Sequence, residues 1–359
     1  MRILLCESSC YKPLNPYFHG ALEIICLQRG YAFAFIDEAE FFPEKSRLLR
    51  ILRRVRGRDL YARQSRWFNQ QLCEVACQFR PQLLLVVNGK HITLESLNSL
   101  KKATGALAAN YATDDPFNSQ VTTEPFRTCI SKYDIYATPK KALIPDLLAS
   151  GCATVLSTRF AFSPAVHFPE AAKTSAERSR FDCDVVFIGS YVPERLEWLR
   201  AVIRGLPDVR LHIYGAGWSN FSALRKHVRR SVSGREFRLA LSGSRIALNF
   251  IRHENRDDHS ERGFQILACG GFMLSERTTE QQTLFTEDKE AAYFGSSEEL
   301  VSKIQHYLLH DSARVAIARA GFARVTQGKH TYEDRLLEIL SKVVEINTSF
   351  GTCYISQPK

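Results

Sequence analysis

The densest chemistry in the sequence lies in residues 249–271, NFIRHENRDDHSERGFQILACGG. An apolar run ends near Phe250, a charged and polar stretch follows, and small apolar letters resume at Gly263. Ser260 is placed to cap a helix, with Glu261 favourable beside the positive helix end. Arg252, Arg256 and Arg262 carry the planar donor fork that clamps phosphate oxygens in pairs. His253 and His259 stand six residues apart in a loop, a spacing that matches no standard metal site. Hydrogen-bonding or solvated histidines are the plainer reading, and no metal is assigned.

Two glycine turns add to this set. In DVVFIGS, residues 184–190, a strand runs into Gly189-Ser190 and a helix starts near Glu194. Gly189 permits close backbone approach, and free N–H groups at the helix start can receive a phosphate. The second turn, at Tyr214-Gly215 in IYGAGW, lacks the full dinucleotide fingerprint. Either turn alone is an ordinary α/β connection. Two at the ends of neighbouring strands favour a shared ligand site.

The first half of the chain offers candidate bases. NYATDDPFN, residues 110–118, follows an expected strand, with Pro116 fixing the turn. Asp114 or Asp115 could bind the hydroxyls of a ligand or take a proton from an alcohol. An Asx-type turn that starts the next element is the equal alternative. His19, opening a helix after the first strand, is a second candidate base with a suitable ordinary pKa. A packing role is its alternative. Lys90 and His91 follow a strand end and have weaker claims. Residues 46–66 hold eight arginines, with Leu48, Leu49, Leu52 and Val55 on one helical face. A solvated basic helix is the bland reading; docking on anionic lipid or an acidic acceptor is the sharper one.

These residues need a scaffold, and the apolar pattern supplies it. Short runs at 2–6, 31–36, 82–87, 107–111, 135–138 and 154–157 read as buried parallel strands. Helical patterns at 16–30, 43–79, 93–103, 125–133 and 140–150 separate them, and Gly30 and Gly151 fall where helix C-caps belong. Residues 163–182 read as a linker. A second alternation has strands at 185–189, 209–214, 246–250 and 271–275, with helices at 194–205, 263–269, 297–310 and 311–326. The expected organisation is an α/β domain over 1–162, the linker, a second α/β domain over 183–340 and a tail over 341–359. Both domains read as Rossmann-like and doubly wound, which puts a ligand cleft between them at the carboxyl ends of the strands.

Composition narrows the class. Of 359 residues, 45% are hydrophobic and 24% charged, as in a globular protein with a core. No run approaches the ~20 apolar residues of a membrane span, and the apolar start at residues 1–6 is too short for a signal peptide. Ten scattered cysteines without a CxxC pair fit reduced thiols and a cytoplasmic location. The net charge of +10 suits a phosphorylated small ligand or an anionic membrane face. Without a zinc finger or a basic low-complexity tail, a nucleic-acid partner is not expected.

From about Asp182 to Leu340 the chain resembles the C-terminal domain of CgeB-like, group-1-type glycosyltransferases. The resemblance is carried by RGFQILACGGFMLSERTTEQ, LFTEDKEAAYFGSSEELVSKIQHYLLHD, RVAIARAGFARV and HTYEDRLLEIL. NYATDDPFN and SKYDIYATPK extend it loosely into the first half. It implies a GT-B fold and transfer of a hexose-type sugar from a nucleotide-diphosphate sugar, a UDP-sugar being preferred. The acceptor would be a hydroxyl on a glycan, small molecule or surface polymer, with no further cofactor. Gly189, Ser190, Arg262, Gly263 and Phe264 would meet the phosphates, and residue 265 the ribose. Tyr214, Gly215, Arg252 and Ser260 belong to the same donor set. The family residue at 265 is normally Glu, and an acidic residue eight positions earlier, here Asp257, addresses the sugar. Gln265 loses charge but keeps a donor and an acceptor, a loss of about 1–2 kcal/mol. A sugar-nucleotide binder without turnover is the first alternative, and a basic nucleic-acid-associated protein the second.

Overall fold

The structure, a computed structural model, describes residues 1–7, 14–42 and 47–349, with the side chains of 14–16, 47–59 and 349 left out of that description. The chain divides into two compact units, one formed by Met1–Arg159 and the segment from Tyr332 onward, the other by Phe160–Thr331.

In the first unit, strands β1 (Arg2–Glu7), β2 (Ala32–Asp37), β3 (Leu83–Val87), β4 (Leu107–Tyr111), β5 (Ile135–Thr138) and β6 (Val155–Ser157) form one sheet of order β2-β1-β3-β4-β5-β6. Every neighbouring pair is parallel. Helices α1 (Leu14–Arg29), α2 (Glu38–Phe41), α3 (Arg47–Phe79), α4 (Leu94–Thr104), α5 (Glu124–Thr128) and α6 (Ile144–Ala149) connect the strands. Leu83–Val87 are all buried because helices cover both faces, which is why the strand reads as an unbroken apolar run. The chain passes from β1 out to β2 and returns to the other side of β1 as β3. This reversal puts a topological switch point between β1 and β3.

The second unit repeats the plan. Strands β7 (Cys183–Ile188), β8 (Leu211–Tyr214), β9 (Val228–Arg229), β10 (Ser244–Asn249), β11 (Met273–Glu276) and β12 (Ala292–Phe294) follow the order β12-β11-β10-β7-β8-β9, again all parallel. Its helices are α7 (Ser175–Phe181), α8 (Pro193–Gly205), α9 (Gly234–Ser242), α10 (Glu261–Ala268), α11 (Thr279–Leu284), α12 (Ser297–Leu309) and α13 (Asp311–Gln327). Alternate residues of β7 enter different cores: Val185 and Phe187 pack with Leu211 and Leu248, while Val186 and Ile188 pack with Phe264 and Met273. The switch point lies between β7 and β10.

Three features differ from the sequence reading. Within 163–182, read as linker, α7 is closed by a capping box in which Thr174 and Glu177 bond each other's backbone. Residues 341–349, read as tail, continue the final helix α14 (Tyr332–Ser349). Its buried Leu336, Ile339, Leu340 and Val343 keep helical spacing, and it packs with α1 and β5 of the first unit. Strands β9 and β12, of two and three residues, are too short for any periodicity. Gly30 and Gly151 do take the left-handed conformation expected after helices.

Candidate functional site

At the carboxyl ends of β7 and β8 the two glycine turns touch. Gly189 N donates to Tyr214 O at 2.8 Å, and Tyr191 N donates to Ala216 O at 2.8 Å. A methyl group on Gly215, whose φ is +140°, would lie 2.1 Å from Gly189 O, so only glycine fits. The buried Trp218 indole pins the contact by donating to Gly189 O at 2.7 Å. Gly189, Ser190 and Gly215 are therefore brought together as the spacing implied. The Tyr214 side chain instead joins the core, its phenol pushed up to about 12 by burial, and it serves the turn through its carbonyl.

Over these turns stands Arg195 on α8, a residue the sequence reading passed over. Its Nη1 donates to Ser190 O at 3.1 Å, and its buried Nε has no hydrogen-bond partner. Burial, then Arg252, then Arg262, pull the Arg195 guanidinium down to about 10. Arg252 of the β10–α10 loop and Arg262 of α10 thus lie near enough to Arg195 for their charges to act on it. Arg252 also bonds Glu254 at 3.1 Å, and Arg262 lies 4.6 Å over the Phe237 ring. Glu194 and Glu254 offset part of this like-charge repulsion, and a bound anion would offset more of it. The signal for Arg195 was its place in the first turn of the helix after Gly189-Ser190.

The start of α10 is built as the sequence suggested. Ser260 Oγ accepts from Gly263 N at 3.2 Å and donates to Asn249 Oδ1 at 2.7 Å. Asn249 in turn donates to Ser275 Oγ at 2.9 Å, tying the cap to β10 and β11. Added bulk on Gly263 would meet Met273 Sδ at 3.3 Å. Phe264 is a core residue, packed 5.5 Å from Phe285 and 5.4 Å from His330, so it offers the site its backbone alone. Gln265 is 2% exposed and held inside its own helix. Its Oε1 accepts from Arg262 at 2.7 Å and its Nε2 donates to Glu261 at 2.7 Å.

The intervening loop is anchored at several points. His253 pairs through Nε2 with Glu276, whose other oxygen accepts from Ile251 N at 3.1 Å. Arg256 takes a left-handed conformation, and Asp257 N donates back to Arg252 O at 3.2 Å. His259 is buried and accepts from Phe160 N at 3.1 Å, a structural histidine. Among the described residues no group of three or more His, Cys, Asp or Glu is arranged to hold a metal ion.

In the first unit the strand ends carry a second polar set. Asn88, with φ of 60°, accepts from Thr113 N at 2.9 Å and from Asp114 N at 3.3 Å. This shapes the turn so that the two carboxylates diverge. Asp114 pairs with Lys90 at 2.7 Å and stays partly exposed. Asp115 is buried and accepts from Phe117 N at 2.8 Å, the geometry of an Asx turn. His19 lies 3.9 Å from Glu7 and edge-on to Phe33 and Phe35. His91 stacks on Phe42 at 3.9 Å and meets Tyr61 at 3.1 Å. Sequence reasoning missed Glu7 and Glu38, because nothing linear marks a carboxyl as buried. Burial pushes Glu7 up to about 9, and Glu38 up to about 8. In the basic stretch read for lipid docking, residue 46 and the side chains of 47–59 lie outside the described residues. Among the described residues no helix is long and apolar enough to cross a membrane.

Two parallel six-stranded sheets, each flanked by helices, define the GT-B class of fold. Residues 195–341, which include α8, the β10–α10 loop and α10, match the glycosyl transferase-like family model. Sucrose-phosphate synthase from Thermosynechococcus elongatus is similar in structure, with a TM-score of 0.66 and 11% identity over 97% of this chain and 100% of that one. A glycosyltransferase from Rickettsia africae gives 0.64 and 9% identity over 96% of this chain and 98% of that one. Anabaena HepE, solved with UDP and glucose, gives 0.59 and 11% identity over 95% of this chain and 100% of that one. No curated protein matches the chain by sequence.

Proposed function

We propose that the protein is a glycosyltransferase, of the CgeB-like kind, that takes a sugar from a nucleotide-diphosphate donor bound on its second unit and passes it to a hydroxyl acceptor. The observation that carries this reading is the buried Arg195 held on the Gly189–Ser190 turn, with Arg252 and Arg262 near enough for their charges to act on it. A diphosphate supplies an anion that offsets their repulsion. As the sugar–oxygen bond breaks, negative charge grows on the diphosphate, and guanidinium and backbone N–H groups already in place stabilise it. In this reading the arginines do the electrostatic work, and no metal is assigned a step. The UDP bound by the HepE relative supports a UDP-sugar as donor.

A hexosyl group, an acceptor on a glycan, small molecule or surface polymer, and a place in polysaccharide synthesis complete the proposal. Cytoplasmic action with peripheral contact to anionic membrane through residues 46–66 belongs to it as well. Asp114, partly exposed beside Lys90, is the better placed acceptor-side carboxylate, and His19 the alternative base. The test is incubation of the full chain with UDP-glucose, UDP-galactose and UDP-N-acetylglucosamine, followed by chromatography for released UDP. Release of UDP supports the reading. A sugar-nucleotide binder without turnover, favoured by the internally engaged Gln265 amide, would bind these donors and release none.

A further inference from the structure

The end of α12 carries two exposed histidines four residues apart, His306 in its last turn and His310 at its cap. Arg245, in β10, donates to Leu308 O at 2.6 Å, so this helix end lies at the amino edge of the second sheet, opposite the glycine turns. Residues four apart stand one above the other on a helix face. Here the two imidazole rings stack with centroids 4.2 Å apart, 22° from parallel. His310 Nδ1 lies 2.7 Å from His306 O. A carbonyl only accepts, so Nδ1 carries the hydrogen, and in the neutral ring Nε2 keeps its lone pair. A backbone carbonyl on one ring nitrogen is the arrangement that orients a histidine to ligate a metal through the other. The His306 ring is also edge-on to Tyr307 at 4.9 Å, and buried Tyr307 donates to Asp288 at 2.7 Å, which gives the pair a fixed neighbour.

We propose that His306 and His310 chelate one divalent transition-metal ion of the nitrogen-seeking class, copper(II), nickel(II) or zinc(II), with water filling its other positions. The site is independent of sugar transfer. Two nitrogens held side by side on one ion stand roughly 3 Å apart at metal–nitrogen bonds of about 2.1 Å. Rings that are already stacked reach that separation by small side-chain rotations. Local charge gives a cation no advantage. Arg245 and Arg314 bond the Leu308 and Tyr307 carbonyls at the same helix end and share Asp311 between them. The affinity must then come from the imidazole lone pairs, which disfavours the oxygen-seeking calcium and magnesium and ranks copper above nickel and zinc. Two protein ligands instead of four make an open, exchangeable site and not a closed structural one.

The experiment is calorimetric titration of nickel(II) chloride into the full chain and three variants, with magnesium chloride as the counterpart. His306→Ala and His310→Ala each remove one ligand. Gln305→His combined with His306→Ala keeps two histidines on the helix but sets them five apart, off the shared face. The wild-type chain should bind one nickel ion and show no binding of magnesium. All three variants should bind nickel more than about tenfold more weakly, since losing even the bond that supports a ligand costs at least that much. Equal affinity in the single variants would put the ion elsewhere, on thiols for instance. Equal affinity in the relocated pair would show that the four-residue spacing is not the cause. Either result overturns the inference, as does magnesium binding as tight as nickel, or no nickel binding by the wild type.

Discussion

The Glu7 carboxyl makes a quantitative prediction about folding. In the folded chain burial holds it at about 9, against 4.5 ordinarily, so at pH 7 the folded form keeps a proton that the unfolded chain releases. The stability it contributes is complete below its unfolded pKa and is lost as pH rises toward the folded value. Over that window the loss runs at about 1.4 kcal/mol per pH unit, or about 3 kcal/mol by pH 7. Glu7→Gln keeps the size and polarity of the side chain and removes the proton. The variant should therefore show a stability–pH line flatter by about 1.4 kcal/mol per unit between pH 5.5 and 8.5. At pH 7 it should be the more stable protein, by up to about 3 kcal/mol. Urea unfolding followed by circular dichroism at pH 5.5, 7 and 8.5 measures both quantities. Parallel lines for the two proteins would show that Glu7 is ionised in the folded state and would refute the argument.

Four other substitutions follow from the geometry. Gly215→Ala puts a methyl 2.1 Å from Gly189 O at a φ of +140°, so thermal melts should show a loss of roughly 3 kcal/mol or more. Gln265→Glu sets a second carboxylate where Gln265 Nε2 now bonds Glu261 at 2.7 Å. Urea titration should show it to be less stable by about 1–2 kcal/mol, although it restores the letter usual in the resembled family. Asp115→Ala should cost about 1 kcal/mol through the lost turn bond to Phe117 N, whereas Asp114→Asn should leave the melting temperature nearly unchanged. The reverse ranking would sink the assignment of Asp115 to the turn.

How much of this was legible depends on whether the deciding physics is local. The strands were readable because both faces of each sheet are buried, so 83–87 is apolar without a break. The Ser260 cap was readable because capping is settled within four residues. The last helix was partly missed, although Leu336, Ile339, Leu340 and Val343 carry its period, because 341–359 was set aside as a tail. Gln265 shows a different limit. Its partners at 261 and 262 have helical spacing and lay in plain view, but the position, although placed on a helix, was weighed only as a ligand contact. Glu7 and Glu38 were not legible at all. Their burial follows from the return of β3 past β1, and topology of that kind leaves no mark at the residue itself.

Calorimetric titration of UDP into the full chain and into Arg195→Ala tests the central claim most directly. Arg195 is bonded to the Gly189–Ser190 turn and feels the charge of the other two arginines. The account predicts that the wild-type chain binds UDP and that the variant binds it roughly 10- to 100-fold more weakly, as expected for loss of charged hydrogen bonds. Equal affinity in the two proteins, or no binding by the wild type, would contradict it.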